Sequence, residues 1–134
     1  MNTPVSTKHA AHYTWGGDCD GWHLLKTPAA TVIQERMPPG RAEARHFHRR
    51  SQQFFFVLAG QAMMEVDGET IRLRQHEGCF IAAGIPHRIR NAAKVASEFL
   101  VFSVPPSHGD RVPAAPVANK PAKLSAPKRI KPRP

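Results

Sequence analysis

A chain of 134 residues is long enough for one domain with its own buried core and too short to hold two comfortably. Its formal charge of +9 is unevenly spread: residues 1–111 carry 13 Lys/Arg against 10 Asp/Glu, while residues 112–134 carry six Lys/Arg and no acid, so the body is only mildly basic and the total does not argue for a nucleic-acid-binding domain. Cys19 and Cys79 stand far apart, which excludes a zinc finger and a dense disulfide framework and leaves a single bridge open.

The opening residues, MNTPVSTKHAAHYTW, lack the apolar core of a signal peptide, and no run reaches the length needed to span a bilayer. The expected setting is therefore soluble and cytoplasmic. Residues 1–9 read as a flexible lead segment, and the folded body is expected over 10–110.

No segment sustains the i, i+3, i+4, i+7 pattern of a long amphipathic helix, and Pro and Gly punctuate short apolar runs. The reading is all-β. Strands are predicted at 22–26, 31–37, 44–48, 53–59, 61–66, 69–74, 79–83, 87–91 and 97–104. The sharpest local signal is MMEVDGETIRLR, where Asp67-Gly68 suits a type I′ turn between two alternating strands. Ala62, Met64, Val66, Ile71 and Leu73 would form its apolar side, with Glu65, Glu69, Arg72 and Arg74 solvated.

Between Gly40 and Gly60 lies GRAEARHFHRRSQQFFFVLAG. On a strand, His46 and His48 point to one face and Phe47 to the other, so the two imidazoles can share one ion. H-x-H alone is weak evidence, because two exposed or hydrogen-bonded histidines are the commoner outcome.

The whole stretch, however, resembles the first motif of the cupin family, G-x5-H-x-H-x3/4-E-x6-G, as Gly40, His46, His48, Gln53 and Gly60, with glutamine in place of the glutamate. The second motif, G-x5-P-x-G-x2-H-x3-N, resembles His76, Ala82, Gly84, His87 and Asn91, with histidine for the first glycine and alanine for the proline. The resemblance covers about residues 31–104. It implies an antiparallel double-stranded β-helix, the jelly-roll barrel of small RmlC-like cupins, with His46, His48 and His87 as metal ligands projecting inward. Three histidines, two from one strand and one from another, leave open positions for substrate or oxygen. Gln53 is expected to be a fourth ligand, or to stand off behind a water, or to mark a lost site. An amide leaves a divalent centre at +2 where a carboxylate would lower it to +1. Gln52 should face the other way.

The implied cofactor is a divalent metal ion, Fe, Mn, Zn or Ni, and the implied partner a small oxygenated molecule bound by chelation. Among cupin activities a dioxygenase is preferred, and the alternative is a noncatalytic ligand-binding module, a sensor or accessory with a structural metal or none. A homodimer is expected by the same resemblance.

Other candidates rank lower. His76 reads as a solvated loop residue and His23 as a core or edge histidine; Phe55, Val57, Met64 and Ile89 read as core that could line a pocket. Arg36, Arg45, Arg88 and Arg90 could each bind an anion, and none is singled out. Eight of the 13 prolines fall in 105–134. Residues 111–134 therefore read as a disordered basic tail with at most nonspecific nucleic-acid contact.

Overall fold

Short β-branched and aromatic runs, most of them ended by Gly, Pro or Asp, build strands throughout, and the described residues contain no helix. The computed structural model describes residues 3–116; residues 117–134, most of the predicted tail, lie outside them. The strands are β1 (Ala11–Trp15), β2 (Cys19–Lys26), β3 (Thr31–Met37), β4 (His46–His48), β5 (Gln52–Ala59), β6 (Ala62–Val66), β7 (Glu69–Leu73), β8 (Gly78–Ile81), β9 (His87–Arg90), β10 (Ser97–Val104) and β11 (Arg111–Pro113). They form a six-stranded sheet in the order β1-β2-β3-β10-β5-β8 and a five-stranded sheet in the order β11-β4-β9-β6-β7, all antiparallel. This is the expected jelly-roll, a sandwich whose inner faces make one core.

The period of two sorts the side chains. From the six-stranded sheet, Met37, Phe55, Val57, Ile81, Phe99 and Val101 are buried between the sheets; from the other come Ala62, Met64, Leu73 and Ile89. The same parity turns Phe54, Phe56 and Phe102 outward on the six-stranded sheet.

Asp67 and Gly68 have φ of 50° and 90°, both positive as a type I′ turn requires. The hairpin departs from expectation on its polar side. Glu69 pairs across from Val66 and shares parity with Ile71 and Leu73, and Glu65 is only 16% exposed because it gathers Arg45, Arg88 and Arg90 around its carboxylate. Three of the four candidate anion-binding arginines are thereby paired within the fold. Arg36 lies 3.9 Å from Asp20.

Two edge strands extend the body beyond the predicted set. β1, where Tyr13, Thr14 and Trp15 favour a strand, lies outside the predicted set and is held by its ladder to β2. β11 pairs with β4, so paired backbone continues through Pro113, three residues into the segment that composition assigns to the tail. At the other end Ser6 accepts backbone bonds from His9 and Ala10, closing a turn just before β1. Cys19 and Cys79 are both free thiols.

Motif residues other than the histidines have structural roles. Gly60 has φ of 72°, and a Cβ there would lie 2.4 Å from the Ala96 carbonyl oxygen, so only glycine lets the β5–β6 turn pass the start of β10. His76 occupies the second motif's glycine position with φ of 66°, a left-handed conformation that histidine tolerates better than most residues. Its ring stacks on outward-facing Phe56 at 6.2 Å.

Asn91, 1% exposed, donates to the carbonyls of Met37 (3.0 Å) and Val95 (2.9 Å) and accepts from the Ala93 N–H (2.9 Å). Asn91→Ala strips partners from three backbone groups at once and is expected to cost about 2–3 kcal/mol in urea unfolding; a loss within experimental error would show that water replaces the amide.

Candidate metal centre

β4 delivers His46 and His48 to the barrel interior because they are two residues apart, and β9 delivers His87 directly opposite His46 in the ladder. The three are 3%, 5% and 1% exposed. Ring centroids lie 4.8 Å apart for His46–His48, 4.6 Å for His46–His87 and 5.7 Å for His48–His87. One nitrogen from each ring falls within 4.8 Å of the others, close enough for all three to reach a single ion.

Each ring is oriented by a backbone carbonyl. Nδ1 of His46 donates to Ala44 O (2.8 Å), that of His48 to Asp110 O (3.1 Å) and that of His87 to Ile85 O (2.9 Å). A neutral imidazole has one N–H, so each Nε2 carries a lone pair. Burial is the main cause that holds the rings neutral, lowering His46 to about 3 and His87 to about 4, and lowering His48 as well. His48 Nε2 is buried with no hydrogen-bond partner.

Gln53, 6% exposed, enters from β5 on the opposite sheet. Its Nε2 donates to Ser103 Oγ (2.9 Å), which leaves Oε1 facing His87 Nε2 at 3.2 Å. With the His87 proton committed to Ile85, two lone pairs oppose each other there, an arrangement that a cation relieves. Gln52 is exposed and faces away, as its parity predicts. A divalent metal fits this donor set: three neutral imidazoles, one lacking any partner, and an amide oxygen turned toward them. Among the described residues, His76 and His23 do not join the cluster. The His23 ring instead lies 5.2 Å from that of Tyr13.

Strand parity could not reveal Asp110. Its carboxylate accepts the backbone N–H groups of Arg49 (3.1 Å), Arg50 (2.9 Å) and Ser51 (2.8 Å), while its own carbonyl takes the His48 proton. Those backbone bonds, led by Ser51 and Arg50, hold its carboxyl below the ordinary carboxylate range. Residue 110 thus clamps the turn after β4 and aims His48, across a separation of 62 positions that leaves no local pattern to read. Asp110→Ala is expected to weaken zinc binding about tenfold, the usual scale for losing an outer support of a ligand. Isothermal titration checks it, and unchanged affinity would mean that the β4–β11 ladder alone positions the ring.

A cupin-domain family model matches residues 33–103. The chain belongs to the cupin family. This cupin is 31% identical over 70 residues to the tetracenomycin polyketide synthase protein TcmJ of Streptomyces glaucescens, covering 52% of this chain and 46% of TcmJ. It is 34% identical over 70 residues to the polyketide synthase CurC of Streptomyces cyaneus, covering 52% of this chain and 45% of CurC. The matched part is thus less than half the length of either relative. In fold it is similar to the polyketide cyclase RemF of Streptomyces resistomycificus, with a TM-score of 0.75 and 18% identity over 86% of this chain and 87% of that one. The three buried histidines of this cupin could hold a metal ion.

Proposed function

We propose that this cupin is a metal-dependent enzyme acting on a small, multiply oxygenated carbonyl compound. His46, His48 and His87 would hold the ion, with Gln53 as fourth donor. The observation that carries the reading is the convergence of three buried, neutral imidazoles, with no partner for His48 Nε2. When bound, a divalent metal in this all-neutral donor set supplies an undiminished +2 charge that polarises carbonyl or enol oxygens. The chain's own residues do the rest. Backbone carbonyls fix the ring tautomers, Ser103 fixes the Gln53 amide, and Phe55, its ring 6.1 Å from that of His87, excludes water beside it. The names of TcmJ and CurC support a carbonyl-rich substrate of the polyketide type.

Cobalt-substituted protein tests this reading. Acetylacetone, a chelating 1,3-dicarbonyl, should shift its visible spectrum saturably; a spectrum that does not respond sinks the substrate class. The open side of a three-histidine centre also favours oxygen use as a second reading, and oxygen uptake by the ferrous protein with the same ligand separates the two.

Gln53→Glu is expected to tighten zinc binding at least about tenfold, since it places a negative charge within a few ångströms of the ion. Affinity that stays level or falls would show that residue 53 does not approach the metal.

We further infer a homodimer built on the outer face of the six-stranded sheet. Phe102, Phe54 and Phe80 are register neighbours across β10, β5 and β8 and are 37%, 40% and 57% exposed. An apolar row of this kind on a sheet face is the surface a second copy covers.

A further inference from the structure

The strands that carry the histidines inward carry arginines outward. His87 and Ile89 of β9 point into the barrel, so Arg88 and Arg90 point away from it on the outer face of the five-stranded sheet. In the ladder Arg88 lies opposite Glu65 of β6 and Arg90 opposite Met63, which in turn lies opposite Arg72 of β7. Arg45 comes one residue before His46 in the His46–His87 pair, which sets it across from Arg88. These four arginines surround one carboxylate.

Glu65 cannot satisfy them all. Its Oε1 accepts from Arg45, and its Oε2 accepts from Arg88 Nε at 2.9 Å. Arg90 Nε stands 3.4 Å from the same Oε2 and is buried with no hydrogen-bond partner, while Arg72 is exposed and joins no ion pair among the described residues. Burial opposes ionisation of Glu65, yet the bonds from Arg45 and Arg88 hold its carboxyl below the ordinary range. A guanidinium keeps its charge at any pH a folded protein meets, so this surplus cannot be relieved by losing protons. The Arg45, Arg88 and Arg90 side chains are only 18%, 33% and 33% exposed, and water therefore reaches them in part.

The chain itself does not supply the missing anions. Residues 112–134 carry six Lys/Arg and no acid, so that segment is repelled by the arginines. A second copy brings the same positive face, and a dimer built on the Phe54–Phe102 row uses the other sheet. Half-buried Met63 and Phe47 have the same outward parity as the arginines, and arginine set among methionine and aromatic surface is typical of a protein-binding patch. Nucleic acid asks for a longer basic track or exposed rings on which bases stack, and this face has a compact cluster instead. We propose that the outer face of the five-stranded sheet, with Arg45, Arg72, Arg88 and Arg90 around Glu65, docks an acidic segment of a partner protein whose carboxylates complete the arginine pairing.

Nitrogen-edited spectra of the arginine Nε–H groups test this on the full chain, with an oligoglutamate peptide as the probe. The Arg72, Arg88 and Arg90 signals should shift saturably, and Arg72→Gln combined with Arg90→Gln should weaken binding about tenfold. Glu65→Gln removes the one negative charge among them and should tighten binding about threefold. An ion-pair cluster that only holds the sheet together predicts neither change. Arg72→Gln alone, at an exposed position without a partner, should weaken binding about threefold and keeps the test decisive if replacing Arg90 unfolds the protein. Shifts confined to residues 112–134, or equal affinity in wild type and variants, overturn the proposal. An oligothymidylate of equal charge that binds the same arginines more tightly than the peptide also overturns it, in favour of a nucleic-acid partner.

Discussion

His46→Ala and His87→Ala are each expected to abolish stoichiometric zinc binding, whereas His76→Ala leaves it at about one ion per chain. Three neutral nitrogens from two neighbouring strands provide most of the donor set, and losing one leaves two imidazoles and a weakly donating amide oxygen, with no charged ligand to hold a divalent ion. His76 lies on the outer surface against Phe56 and cannot substitute. Elemental analysis of untagged protein purified without chelator reads the result, with circular dichroism of each variant to show that the barrel is intact. The two interior replacements each remove a buried ring, so thermal midpoints should fall modestly in the metal-free state and more in the presence of zinc, where the wild type gains from binding. Equal loss of zinc in all three variants would refute the ligand assignment.

Phe54→Lys combined with Phe102→Lys is expected to convert the protein from dimer to monomer in sedimentation equilibrium without unfolding it. Both rings face out of the six-stranded sheet, 6.2 Å apart between centroids, and neither belongs to the buried core. Two ammonium groups set side by side in a two-fold interface meet their own copies, so four charges would be desolvated together. If the wild type sediments as a monomer at tens of micromolar, the apolar row serves some other contact and the dimer inference falls. Neither lysine reaches the triad, so zinc stoichiometry should be unchanged.

Much of the fold was legible because it rests on local rules. The period of two separated Phe55 and Val57 from Phe54 and Phe56, and Asp67-Gly68 announced its hairpin. The same parity placed His46 and His48 on one face and turned Gln52 away. β11 was not legible, since Arg111-Val112-Pro113 has little strand propensity and exists through its ladder to β4, whereas Tyr13, Thr14 and Trp15 of β1 were a strand signal that the prediction passed over. Glu65 read as a solvated strand residue for a related reason. Its partners Arg45, Arg88 and Arg90 come from other segments, and only the five-stranded sheet assembles them.

By itself the sequence determined an all-β chain with His46 and His48 on one face, because side-chain alternation is a property of neighbouring residues, and the resemblance to cupin motifs added the jelly-roll barrel and His87. Tertiary structure alone decided that the rings are neutral and that His48 Nε2 has no partner, since burial and carbonyl contacts arise only when the two sheets close. It also decided that Asp110 aims His48 and that Tyr13 reaches Glu35 across Gly21. These contacts join residues 62 and 22 positions apart, and such distances become short only through the strand order of the folded barrel.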